Sequence, residues 1–234
     1  MKKERESAMK KRVWIALVLL AALLLPVMVM ADEIEYVTFG HYEQDNDLTN
    51  GKEPIEWRVL KEEDGELMLI SRYALDAKPY NEKAGYRIHW PECTLRAWLN
   101  ETFYAEAFDE EEQAAVILKT LKNWKEVDTQ DRVFLLDNDE AKGLFANHAD
   151  RQTVPTAYAI AQGAYRSTKY GPGNAQWWLR THSWESNRRA AYVAASGGVM
   201  TCGGNSVGVV ENAKWAVRPV ICIRAEDLER LRGE

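Results

Sequence analysis

The sequence predicts an α+β domain, and three observations predict it. The amino-terminal part alternates apolar and polar residues with the two-residue period of strands. The middle places apolar residues at three- and four-residue helical spacings. The carboxy-terminal third returns to β-branched and aromatic runs broken by Gly-rich turns.

In chain order, IEYVTFG (Ile34–Gly40) is a β-branched and aromatic run that ends at a glycine. Pro54–Leu75 predicts a hairpin: Ile55, Trp57 and Val59 alternate with Glu56, Arg58 and Leu60, Glu-Asp-Gly turns the chain, and Leu67-Met68-Leu69-Ile70 returns as a strand buried on both faces. From Thr94, the expected N-cap, the residues Leu95, Trp98, Leu99, Phe103 and Ala107 form one apolar helical stripe. Asp109 with Glu112, and again Asp137 with Glu140, carry the capping-box pattern that satisfies two orphan amides at a helix start. Arg132–Leu136 is a buried-strand candidate. Strands are expected at Trp177–Thr181, Ala190–Gly204 and Trp215–Ile223, with Ser196-Gly197-Gly198 as a turn. The charged tail from Glu226 predicts a short exposed helix.

Composition limits the function classes. Of 234 residues, 46% are apolar and only 14 are Gly and 7 Pro, which excludes collagen-like and disordered chains. A formal charge of −6 argues against a surface that neutralises nucleic-acid phosphates. Residues 1–31 predict a secretory signal peptide. Lys2, Lys3, Arg5, Lys10, Lys11 and Arg12 precede an uncharged run from Val13 to Met30, and Val29 and Ala31 supply the small residues of a peptidase site. A retained membrane anchor is the competing reading, since the run is about long enough to span a bilayer; Pro26 favours cleavage. Removing residues 1–31 takes away six basic and two acidic side chains and moves the charge to −10. With no linker or repeat beyond that point, residues 32–234 are expected to form a single α+β domain.

Cys93, Cys202 and Cys222 remain. Outside the cytoplasm a Cys202–Cys222 disulfide is the candidate pairing, because both cysteines lie in strand-like segments; three buried thiols acting as small hydrophobes fit equally. There is no C-x-x-C to suggest a redox or zinc-ribbon motif.

The ordered set PIEWRVL, LLISRYALD, CTLRAWLNETFYAEAF, DRVFLL, PTAYAIAQG, WWLRT and VRPVI, spanning Val37–Ile223, resembles the bacterial secreted domain-of-unknown-function family DUF6273. The Trp-rich strand, the Ala-Tyr-Val strand, the Gly-rich turn and Val217-Arg218-Pro219 are also similar to C-type-lectin-like folds, including formylglycine-generating-enzyme relatives and the variable proteins diversified by retroelements. That likeness implies two or three helices packed on a twisted, mostly antiparallel sheet with a loop-rich binding face. The formylglycine-generating relatives use paired reactive cysteines with copper; the surroundings of Cys202 and Cys222 do not match that pattern.

The stretch Thr181–Trp215 is the preferred functional surface, dense in Ser, Asn, Gly, Trp and Arg, types that combine adaptable hydrogen bonding with rigid contact area. Within it the candidate ligand-binding residues are His182, Trp184, Asn187, Arg188 and Asn205. Loops carry the same residue types for turn geometry alone. Trp57, Trp98, Trp177 and Trp215 are expected in the core, whereas Trp90, Trp124 and Trp184 have polar neighbours and are expected to be exposed. His41, His89, His148 and His182 adjoin no nucleophile in a recognisable motif. Asp45, Asn46, Asp47 and Asn50 form a solvated loop rather than a metal site, since the terminal bidentate Glu of a calcium loop is missing. Arg218 is expected to serve structure, bonded to an ion pair or to backbone. No cofactor, metal or catalytic residue is expected. The expected function is a secreted or surface-exposed, non-catalytic module that binds a glycan or protein ligand. The alternative is an extracytoplasmic enzyme related to the formylglycine-generating enzymes. Nucleic acid is not an expected partner, and a membrane is one only if the amino-terminal segment is retained.

Overall fold

A computed structural model describes residues 34–83, 88–123, 125–182, 188–201 and 208–233. The chain divides into two compact units, 1–34 and 35–234, and the signal-peptide expectation for 1–31 lies outside the described residues. The second unit mixes short helices with mostly antiparallel sheets, as predicted. No helix among the described residues is long and apolar enough to cross a membrane.

Its strands are β1 (Tyr36–Tyr42), β2 (Glu53–Glu63), β3 (Glu66–Ser71), β4 (Asp76–Ala77), β5 (Lys119–Leu121), β6 (Thr129–Asp131), β7 (Val133–Phe134), β8 (Trp177–His182), β9 (Ala190–Val193), β10 (Val199–Met200), β11 (Ala216–Val217) and β12 (Val220–Arg224). One five-stranded sheet runs β1-β2-β3-β12-β7 and is antiparallel throughout. The second runs β10-β9-β8-β11-β4, with β8 and β11 as its parallel pair. A separate β5-β6 ladder stands beside them.

The predicted hairpin forms. Asp64 (φ 52°) and Gly65 (φ 76°) take the left-handed backbone that a tight two-residue turn between twisted strands requires. Ile55 and Trp57 point inward, and β3, paired on both edges, is almost wholly buried. The inward alternation stops at Val59, where a bulge before Lys61 shifts the register.

The helical middle differs from expectation in three ways. The helices are shorter and more numerous than two or three, and the longest among the described residues spans only 8 residues at Ala225–Arg232. The Thr94 segment is α1 (Thr94–Trp98), a π-turn (Leu99–Phe103) and α2 (Tyr104–Ala107) in direct succession. Its buried residues Leu95, Leu99, Phe103 and Ala107 recur every fourth position. On an α-helix that spacing drifts by roughly 40° per step, and the wider π-turn keeps the stripe on one face. The N-cap is Cys93, whose Sγ accepts from the Arg96 amide at 3.4 Å. Thr94 is turned instead to the preceding loop, where its Oγ1 accepts from the Glu82 amide at 2.9 Å. Both predicted capping boxes form, at α3 (Glu110–Ala115) and α4 (Asn138–Gly143).

The expected strand Trp215–Ile223 is two strands in different sheets. Pro219 has no amide to donate, so pairing breaks there, and the Arg218-Pro219 step carries the chain from β11 to β12. The β3–β4 connection makes the same crossing alongside, joined by Ser71 N–H to Pro219 O (3.0 Å) and Leu75 N–H to Val217 O (3.0 Å). Arg218 closes this junction. Its guanidinium donates to the carbonyls of Ser71 (2.8 Å), Arg151 (3.3 Å) and Arg72 (3.5 Å) and lies over the rings of Trp177 and Phe145. Burial lowers its pKa to about 9. Its role is the backbone-bonding one expected. The strand expected over Ala190–Gly204 is likewise divided into β9 and β10 by a turn at Gly197 (φ 84°), where a Cβ would meet His148 O at 1.7 Å.

Trp57, Trp177 and Trp215 are in the core as predicted, whereas Trp98, also expected there, is only half-buried against it. Trp90 is not exposed: it is 1% accessible, because its indole N–H donates to buried Asp131 at 2.9 Å and lets the ring enter the core beside Tyr80. Trp124 and Trp184 lie outside the described residues.

Candidate functional site

Three segments distant in sequence meet at the end of β8. The first is a 3-10 turn, Trp90–Glu92, started by Pro91 and preceded by His89. The second is the β5–β6 connection, which carries Glu126 and is closed by a Lys122–Asp128 ion pair and by Asn123 Nδ2 donating to Val127 O at 3.0 Å. The third is β8 itself, whose last residue is His182.

Asp131, at the end of β6, ties the first two together. Its wholly buried carboxylate accepts from Trp90 Nε1 (2.9 Å), Arg96 Nε (2.6 Å) and Thr129 Oγ1 (2.8 Å). The turn that bears His89 is thereby fixed to the hairpin that bears Glu126.

The side chains then converge. Glu126 Oε1 is 2.5 Å from His182 Nδ1 and also contacts His89 Nδ1. The imidazole centroids are 4.2 Å apart with their planes inclined at 61°. One potential ligand atom from each of the three residues lies within 4.8 Å of the others. Burial alone would raise the Glu126 pKa, but hydrogen bonds from His182 and His89, with their charge, outweigh it and hold the carboxyl below its ordinary value.

Glu126 and His182 also line a cavity of about 550 Å³. Its other walls come from Lys122, Asn123 and Lys125 of the hairpin, from the start of α4, from Arg180 and Thr181 of β8, and from Thr201. Arg180 is nearly inaccessible. It donates to Leu135 O (2.9 Å) and Asp137 Oδ2 (2.7 Å) and is also paired with Glu140. The carboxylates that cap α4 thus neutralise the guanidinium below the cavity. Asn138 Oδ1, on the cavity wall, is buried and has no hydrogen-bond partner among the described residues.

Of the sequence-predicted ligand residues, His182 reaches this site. Arg188 is not among the cavity's lining residues and is paired with Glu211. Trp184, Asn187 and Asn205 lie outside the described residues. Cys222 is a free, buried thiol on β12, and Cys202, its candidate disulfide partner, lies outside the described residues. Burial pushes the thiols of Cys93 and Cys222 up to about 12, the reverse of what a reactive cysteine needs. Asp45, Asn46, Asp47 and Asn50 make the solvated loop that was expected. Asp45 accepts from the Asp47 amide and Asn50 Nδ2, and Glu53 accepts from the Gln44 and Asp45 amides.

Sequence reasoning missed the partners of His182. His89 was one scattered histidine and Glu126 was not singled out; their separations along the chain match no local motif. The one usable signal was Trp90 beside His89, a large ring among polar neighbours that is buried on a hydrogen bond to the distant Asp131.

A family model described as a domain of unknown function (DUF6273) matches residues 64–225, more than half of the chain. No curated protein and no solved structure matches.

Proposed function

Since the chain belongs to the DUF6273 family of domains of unknown function, we propose that it is an extracytoplasmic binding module that takes a glycan into the cavity beside His182. The observation that carries this reading is the cavity itself. At about 550 Å³ it has the size of a small-ligand site and is concave rather than flat, which favours a saccharide over a protein surface. Asn123, Asn138, Thr181 and Lys142 offer donors and acceptors that suit hydroxyl groups, and Asn138 Oδ1, without a partner among the described residues, is an acceptor for one of them. The likeness of the carboxy-terminal strands to C-type-lectin-like folds belongs to this reading. The buried thiols give no support to a copper and cysteine enzyme.

The test is a glycan array probed with the full chain and with Thr201→Trp, an exposed position on the cavity wall. The reading expects a defined saccharide to bind and the tryptophan to abolish binding without lowering the Tm. Binding that survives the substitution, or binding of proteins but no glycans, would overturn it.

A further inference from the structure

We infer that His89, Glu126 and His182 form a binding site for one divalent transition-metal ion, with zinc the ion of choice. This goes beyond the glycan reading, although the two share a cavity wall.

The first argument is the donor set. Two imidazole nitrogens and a carboxylate oxygen are the His2Glu combination that zinc accepts, and three protein ligands leave a further coordination position open. Imidazole selects for zinc, copper, iron or nickel over magnesium and calcium, which prefer oxygen alone.

The second argument is convergence. The three side chains come from a 3-10 turn, a hairpin connection and a strand end, and both rings turn the same nitrogen, Nδ1, to the same carboxylate oxygen. Rings 4.2 Å apart on unconnected segments must be held there by the scaffold, and the scaffold is visible. Asp131 locks Trp90, next to His89, and the β6 end of the Glu126 hairpin into one buried hydrogen-bonded unit. Asp131 touches none of the three ligands itself; it fixes the segments that carry His89 and Glu126 relative to each other.

The third argument is access. His89 and His182 are 27% and 15% accessible, so an ion reaches them without unfolding, and Glu126 and His182 face the cavity. An ion held by them therefore borders the space assigned above to the ligand, and its open position is available to a ligand oxygen.

A second group of potential ligands sharpens the assignment by contrast. Glu43, Asp45 and Glu53 also bring three donor atoms within 4.8 Å. These are carboxylates only, and loop amides already occupy them: Asn46 N donates to Glu43 at 2.7 Å, Asp47 N to Asp45 at 2.7 Å and Gln44 N to Glu53 at 2.6 Å. That group is a turn, and no ion is assigned to it.

The experiment is calorimetric titration of Zn2+ into the metal-stripped full chain, with His89→Ala, His182→Ala, Asp45→Asn and Thr201→Trp alongside. One equivalent is expected for the wild type. Each histidine variant is expected to weaken binding by at least the roughly 10–100-fold that loss of an outer-shell partner costs a metal site. Asp45→Asn and Thr201→Trp should bind as wild type, so that loss of glycan binding and loss of metal binding are read separately. No binding by the folded wild type would overturn the site, as would unchanged affinity in both histidine variants. If circular dichroism shows that the variants do not fold, Co2+ added to the wild type decides. A visible absorption band from imidazole and carboxylate ligation supports the site, and the spectrum of free aqueous Co2+ rejects it.

Discussion

At Arg218 a fully buried guanidinium gathers backbone carbonyls from Ser71, Arg72 and Arg151, whereas at His182 two half-buried imidazoles gather around one carboxylate on a cavity wall. Both places draw three distant stretches of chain together. In the first, the partners are main-chain atoms that the sheet crossing would otherwise leave unpaired, and aromatic rings close the space around the charge. In the second, the partners are all side chains, and solvent reaches them. Saturated burial marks architecture, because nothing more can bind there. Convergent donors with an open side mark a place where something can.

The comparison breaks first if Arg218 proves dispensable. Arg218→Ala removes donors from buried carbonyls and leaves a void beside Trp177, and it is expected to cost about 3 kcal/mol in urea unfolding. Zinc stoichiometry in the fraction that remains folded should not change. A loss under about 1 kcal/mol would place the sheet junction among ordinary surface contacts.

Asp131 stands between the two regions, buried like Arg218 yet supporting the cluster. Asp131→Asn is expected to lose about 2 kcal/mol, since three donors converge on a site that then holds a neutral amide. It should also weaken zinc binding roughly 10-fold through His89 and Glu126, neither of which it touches. Wild-type zinc affinity in a folded Asp131→Asn protein would show that the hub has no part in positioning the cluster.

The buried thiols sharpen the same contrast by pH. The folded pKa values of Cys93 and Cys222 are about 12, raised above the ordinary thiol value of 9.0. Their stabilisation is therefore complete below pH 9 and is lost as pH climbs toward 12. Each should contribute a fall of about 1 kcal/mol over the first unit above pH 9, measured against Cys93→Ala and Cys222→Ala. Iodoacetamide should label both thiols in urea and spare them in the folded chain. Equal labelling in the two states would contradict their burial.

The smallest effect is expected at Lys142, exposed on the cavity wall. Lys142→Ala should leave stability within about 0.5 kcal/mol of wild type while reducing glycan affinity on the array. A marked loss of stability would move this side chain from the ligand's surroundings into the scaffold.

Periodicity, turn chemistry and capping all act over a few residues, and what depends on them was legible in the sequence. The Asp64-Gly65 hairpin, the buried return strand and both capping boxes belong to this class. The π-turn was not legible, because Leu95, Trp98, Leu99, Phe103 and Ala107 at three- and four-residue spacings read as an ordinary α-helix. The rest of what could not be read was long-range. Pro219 announces an interruption, but nothing nearby says that the strands on its two sides enter different sheets. Trp90 was placed outside because its neighbours are polar, when its partner Asp131 is 41 residues away. The site has the same character: His182 was legible as a polar loop-end residue, whereas its pairing with His89 and Glu126 exists only once the turn, the hairpin and β8 have packed.

Zinc K-edge X-ray absorption on the zinc-loaded full chain tests the division between scaffold and site most directly. Two imidazole nitrogens and carboxylate or water oxygens at roughly 2.0–2.2 Å are predicted, with no sulfur in the shell. A sulfur scatterer near roughly 2.3 Å would place the ion on a cysteine instead and contradict the assignment of His89, Glu126 and His182.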